Sequence, residues 1–261
     1  MVGFVPCATF FAYNPRHRII SLLACMSYPV HFDTLCADRL SLLGRHRRPC
    51  DHLIAVLRGS LLLRLGREEL VLRQGDLFWL PADCLYGLTL WQGCHLARIH
   101  FSIRVQAHRP SAAGYLQPHP LVPPLLDRLS QLLTNQPLEW TGHTGRLCRL
   151  LADLLPEFRV SAHAANPVSG GVRCALETLR QGGDLTAIAN RCHQEQGLSP
   201  REVLDQFSQQ LGIGLIEWLE QWQLYQTLQH LKQGMSEEQA YRKAGFSSQE
   251  QYQQSLLRYL P

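Results

Sequence analysis

Between residues 53 and 80, apolar positions come in short runs or strict alternation. The runs are Leu53–Leu57, Ser60–Leu65, Glu69–Leu72 and Leu77–Leu80. Arg58-Gly59, Gly66-Arg67 and Gln74-Gly75-Asp76 separate them as turns. Strands this short and evenly spaced predict a small barrel or a double-sheet jelly roll. Pro81 cannot donate to a ladder, so the last run ends there or lies at an edge. The period then changes. Leu125, Leu126, Leu129, Leu132 and Leu133 form one helical stripe, and Leu147, Leu150, Leu151, Leu154 and Leu155 form another. They predict helices over 121–133 and 144–158, packed on the sheet domain or on a second copy of the chain. The segment 161–171, SAHAANPVSGG, is small, polar and broken by Gly and Pro, and reads as a linker.

Beyond the linker the pattern is helical to the end. Helices are predicted over Val172–Gln181, from a cap at Asp184 through Arg191, over Ser199–Leu211, over Leu215–Gln233, from Ser236, and over Ser247–Tyr259. In the long fourth one, Ile216, Leu219, Leu224, Leu228 and Leu231 mark the buried side. Two runs repeat one device. Gly197-Leu198-Ser199 and Gly245-Phe246-Ser247 each place a glycine, free to adopt positive φ, two residues before a serine that can cap the next helix. Two such units joined by one long helix read as tandem helix-turn-helix motifs, which imply double-stranded DNA as partner.

The stretches LSPREVLDQFSQQLG and GMSEEQAYRKAGFSSQEQYQQSLLRYLP resemble the DNA-binding domain of the AraC/XylS family of bacterial transcription regulators. GDLFWLP at 75–81 resembles the turn and strand of that family's cupin-like domain. The resemblance implies an α+β multidomain chain. A cupin-like sensor barrel occupies 1–110, a helical dimerisation segment 111–160 and the linker 161–171. An all-α domain with two helix-turn-helix units occupies 172–261. It further implies a cytoplasmic regulator, an activator as many members are, that binds DNA, engages RNA polymerase, forms a homodimer and responds to a small-molecule effector. The DNA-facing residues would be Ser199, Arg201, Glu202 and Asp205 in the first recognition helix, and Ser247, Gln249, Glu250, Gln253 and Gln254 in the second. Gln pairs bidentately with adenine and Arg with guanine. Asp205 stands where the family carries a basic residue, and Gln223 where it carries Arg.

Charge sharpens that departure. Residues 172–261 hold eight Lys/Arg against ten Asp/Glu, and residues 1–171 hold seventeen against eleven. The helical half is therefore the acidic one, although phosphate contacts supply most DNA affinity. The alternative reading is a non-enzymatic interaction protein on the same fold, with weakened DNA binding, that acts through a protein partner. A cupin-type enzyme is the third reading. No catalytic motif accompanies it: GxSxG, P-loop and dinucleotide fingerprints are all missing. No HxH occurs, and His46 and His52 lie six apart, so neither a metal site nor a cofactor is predicted. Ten of the twelve His lie in residues 1–171, which leaves His46, His52, Trp79 and Tyr86 as candidate effector-pocket residues. Nine scattered cysteines without CxxC fit buried thiols in a reducing compartment. No apolar run approaches the roughly 18 residues of a membrane span, and the N-terminus lacks the basic region of a signal peptide.

Overall fold

A computed structural model describes residues 29–260, apart from 103, 106, 107, 118 and 134–140. The N-terminal segment on which the signal-peptide expectation rests lies outside the described residues. By its contacts the chain divides into two units. One holds residues up to 37, 42–90 and 94–167, and the other holds 38–41, 91–93 and 168–261.

The first unit is a double sheet. Strands β1 (Val30–Cys36), β3 (Asp51–Arg58), β6 (Leu77–Leu80), β8 (His95–Phe101), β9 (Gly114–Leu116) and β10 (Val160–Ser161) form one sheet in the order β1-β8-β3-β6-β9-β10. Strands β2 (Ser41–His46), β4 (Ser60–Leu65), β5 (Glu68–Arg73) and β7 (Tyr86–Leu90) form the other in the order β2-β7-β4-β5. The four sequence-predicted strands are all present. The expected closed barrel is corrected: among the described residues no ladder joins the two sheets, and β1, β10, β2 and β5 remain as edges. Closure needs continuous pairing around the ring, whereas here side chains from two separate inner faces fill the space between sheets.

Strand alternation gives the unit two cores. Ile54, Val56, Phe78, Leu80 and Leu96 meet Leu61, Leu63, Tyr86, Leu88 and Leu90 between the sheets. On the opposite face of the six-stranded sheet, Phe32, Leu53, Ala55, Trp79, Ala97, Ile99 and Phe101 are covered by helices α1 (Val122–Leu133) and α2 (His143–Asp153) through Val122, Leu126, Leu129, Cys148 and Leu151. The helical stripes thus pack on the sheet. Leu150 points away and is 38% exposed.

The second unit contains α3 (Gly170–Arg180), α4 (Leu185–Gln196), α5 (Pro200–Leu211), α6 (Leu215–Lys232), α7 (Glu237–Lys243) and α8 (Gln249–Tyr259). Each start has a local cause. Ser169 accepts from Val172 N, Asp184 from Ala187 N, and Ser236 from Gln239 N. The predicted buried side of α6 is corrected. Ile216 is 52% exposed. Leu224 and Leu228 are buried as expected, and Leu215, Trp218, Trp222 and Tyr225 complete the buried side. Trp218 and Trp222 stack at 5.3 Å between ring centroids, with Trp91 4.9 Å and Phe207 5.8 Å from Trp218. Aromatic side chains carry more apolar area than Leu or Ile, so they set the rotation of the helix. Among the described residues, no helix is long and apolar enough to cross a membrane.

Candidate functional site

In the helical unit, two helix-turn-helix pairs present exposed faces. The first is α4–α5. Gly197 ends α4 at φ 69°, a conformation costly for any residue with a Cβ. Ser199 and Glu202 then close a capping box: Ser199 Oγ accepts from Glu202 N, and the Glu202 carboxylate accepts from Ser199 N at 2.8 Å. These two predicted DNA-facing residues are therefore engaged in building the helix start, and the cap holds the Glu202 carboxyl below its usual range. Val203, Phe207 and Leu211 point inward, which leaves Arg201, Leu204 and Asp205 exposed. Arg201 Nε lies 4.0 Å from Asp205 Oδ2, a loose surface pair.

The second pair is α7–α8, joined through Gly245 at φ 98°. Here the cap is Ser248 rather than the expected Ser247. Ser248 accepts from Gln251 N, and the helix starts one residue later than predicted. Ser247 instead donates from both its backbone N and its Oγ to Gln251 Oε1, at 3.0 and 2.8 Å. Two consecutive serines make the capping position ambiguous from sequence. Tyr252, Ser255 and Tyr259 are buried, while Gln249, Glu250, Gln253 and Gln254 are exposed. Tyr241 and Phe246 pack on Tyr252 and fix α8 on α7. Gln223, in place of the family's Arg, donates from Nε2 to Gly245 O at 3.1 Å and so ties α6 to this turn.

In the sheet unit, three of the four candidate pocket residues come together. The His46 and Tyr86 rings lie 4.4 Å apart and those of His52 and Tyr86 5.8 Å apart. Trp79 does not join them. It pairs with Leu53 and so faces the helix-covered core, where it packs on Phe101 and Phe158 and donates from Nε1 to Pro110 O at 2.8 Å.

Sequence reasoning missed the rest of the cluster, and strand register explains why. His31, His100 and His52 are consecutive partners across β1, β8 and β3. One row along, Asp33, Arg98 and Ile54 align in the same way. Both rows point between the sheets. Arg98 donates to Asp33 through Nε and Nη2, at 2.7 and 2.8 Å. His100 Nε2 stands 3.4 Å from Asp33 Oδ2, and neither His100 ring nitrogen makes a well-formed hydrogen bond among the described residues. Cys50 shares the face of His52, with Sγ 3.9 Å from His52 Nε2. The alternation of Cys50 and His52 was legible in the sequence. The meeting with His100, forty-eight positions on, was not.

Burial controls the protonation of this cluster. It pushes His100 down to about 4, against the upward pull of the Asp33 carboxylate, and it holds His52 well below its ordinary value. The Asp33 carboxyl, although buried, is held far below the carboxylate range by the Arg98 guanidinium and by His100. Burial lifts the Tyr86 hydroxyl to about 12. The cluster therefore presents neutral imidazoles beside a matched Asp33–Arg98 ion pair. Among other thiols, Cys94 is pushed up to about 12 by burial, which disfavours the thiolate that redox sensing needs.

The family model of the AraC-like ligand binding domain matches residues 35–166. The crystal structure of ToxT from Vibrio cholerae aligns over 88% of this chain and 94% of that chain, at 8% identity and a TM-score of 0.34. A putative mannose-6-phosphate isomerase from Ralstonia eutropha JMP134 aligns over 28% of this chain and 75% of that chain, at 17% identity and a TM-score of 0.27. An RmlC-like cupin from Shewanella frigidimarina aligns over 29% and 68%, at 18% identity and a TM-score of 0.28. Likenesses this distant carry no argument about activity. No curated protein sequence matches the chain.

Proposed function

Because the chain belongs to the AraC-like ligand-binding domain family, we propose that it is a cytoplasmic transcription regulator whose helical unit binds DNA by sequence and whose sheet unit takes a small-molecule effector. The observation that carries the DNA reading is the exposed face of α8. Gln249, Gln253 and Gln254 stand on the solvent side of a helix held rigidly by Tyr241, Phe246 and Tyr252. Such a face offers amide donors and acceptors to adenine edges in a major groove. On α5, Arg201 offers the matching guanine contact. In this reading the regulator activates transcription through RNA polymerase and works as a homodimer. The effector would sit at the His46, His52 and Tyr86 cluster of the sheet unit. The deciding experiment titrates the purified protein against duplex from its own upstream region and against random duplex, at several salt concentrations. Preference for the upstream duplex supports the reading, and equal affinities at every salt overturn it.

One observation favours a second reading. The α5 face pairs Arg201 with Asp205, α8 adds Glu250, and the whole of 172–261 is net acidic. Regulation through a protein partner, with DNA contacts secondary, fits that charge. Regulation that persists after Arg201, Gln249 and Gln253 are all replaced by Ala favours the partner.

A further inference from the structure

The buried cluster of the sheet unit holds three groups that the proposed function does not use as a set. The Cys50 thiol, one His52 ring nitrogen and one His100 ring nitrogen all lie within 4.8 Å of one another. We propose that Cys50, His52 and His100 form a binding site for a late first-row transition-metal ion that accepts thiolate and imidazole together, with zinc(II) as the first candidate.

The strand geometry builds this set. Cys50 lies in the bend just before β3 and His52 is the second residue of that strand, and the two side chains meet. His100 is the direct cross-strand partner of His52 on β8, and their rings meet edge to face at 4.5 Å. Bonds of roughly 2.0–2.3 Å to nitrogen and sulfur set donors about 3–4 Å apart. Cys50 Sγ and His52 Nε2, at 3.9 Å, already meet that spacing. Small ring and thiol rotations bring in the third donor.

The chemistry of the donors fits as well. Sulfur with nitrogen selects zinc or copper over magnesium, calcium or manganese. Both imidazoles are buried, and an imidazole ligates in its neutral form. The thiol gives up its proton on binding, so the ion and Cys–SH become a metal–thiolate and one released proton. Asp33 stands 3.4 Å behind His100, in the place of the carboxylate that commonly orients a ligating imidazole. Two guanidiniums oppose a cation here: Arg98, which is matched by its two hydrogen bonds to Asp33, and the buried Arg48, which also acts on His52 and His100. The set differs from the two or three His and a Glu of metal-holding cupin enzymes, since it draws a thiol from before β3 and an imidazole from the middle of β8. The site stands whether or not the helical unit binds DNA.

The test uses the full-length, untagged protein, stripped by a chelator and reloaded with zinc(II), with cobalt(II) as a spectroscopic substitute. The expected result is one zinc per chain, a cobalt–thiolate charge-transfer band, and an X-ray absorption shell of one sulfur and two imidazole nitrogens. Cys50→Ser should abolish the band and weaken zinc by more than the roughly 10–100-fold that follows loss of an outer-shell partner. Cys36→Ser, at an exposed thiol, should change neither. A parallel copper(I) competition distinguishes the two ions, and tighter copper(I) binding through the same residues also supports the site. The proposal is overturned if the wild-type protein retains no stoichiometric metal, if its metal shell holds no sulfur, or if the band survives in folded Cys50→Ser protein.

Discussion

At Gln253 and Asp205 one helix-face argument gives opposite expectations. Gln253→Ala should cost about 1–3 kcal/mol at a single base position and little elsewhere, the signature of a lost bidentate pair. Asp205→Arg removes a carboxylate from the phosphate field and adds a cation. It should tighten all duplexes alike and steepen the salt dependence. Titrations of both variants at two salt concentrations decide between the placements: uniform weakening by Gln253→Ala would mean that α8 does not face the bases. A second residue-scale expectation concerns acid. His100 falls from 6.5 to about 4 on folding, so the unfolded chain binds the extra proton between those values. Stability is therefore highest above about pH 6.5 and declines as pH falls toward 4, by no more than about 3 kcal/mol. Asp33, also depressed, adds a loss of the same sign at lower pH. Urea melts from pH 7 to 4 measure the slope, and His100→Gln should flatten it. Residues such as these were half legible. Their types and alternation stand in the sequence, but which ones meet depends on pairings between strands far apart in the chain.

Among the elements, α1 was foreseen to within a residue, while α2 ends at Asp153 and not at 158, and their role was open between sheet and partner. The structure buries Leu129 and Leu151 fully against the six-stranded sheet. Replacing either with Glu would place a charge in that core and unfold the unit rather than release monomers. If a second copy docks on α2, its contact belongs to the exposed side, and Leu150→Glu should weaken association without lowering the melting temperature. Sedimentation velocity beside a thermal melt separates the two outcomes. The start of α5 offers a cleaner local test. Ser199→Ala breaks the capping box and should cost about 1 kcal/mol, read from the urea midpoint. Capping boxes are written in four adjacent residues, which is why α5 was legible. The rotation of α6 was not, because Trp218, Trp222 and Tyr225 outweigh the aliphatic stripe on which a periodicity reading relies.

For the molecule as a whole, the composition split is the strongest constraint on function. A helical unit of net charge −2 gains little general attraction for DNA, so specificity must come from base contacts and the salt slope should be shallow. The expected linker also narrows. Val160 and Ser161 pair with β9, Arg73 donates to Asn166 O, and Ser169 caps α3. Limited proteolysis should therefore cut first between 162 and 168, and early cleavage inside 53–80 would contradict the two-unit division. The change of composition and of hydrophobic period that suggests such a division was legible. The open double sheet was not, since alternating strands describe a barrel and a sandwich equally well.

The histidine row on β8 carries a consequence for how the gene tolerates length changes. Along His95–Phe101 every second side chain serves one core and its neighbours serve the other, and the strand is paired on both edges. Losing a single codon there shifts the remaining alternation by one. Imidazole and guanidinium would then point among the helices, and Ile99 and Phe101 would point among the polar groups. Substitutions in β8 are graded insults, whereas a one-residue deletion exchanges two interiors at once. A deletion scan read by soluble yield should find β8 among the least forgiving segments of the chain, and far less forgiving than the 162–168 connection.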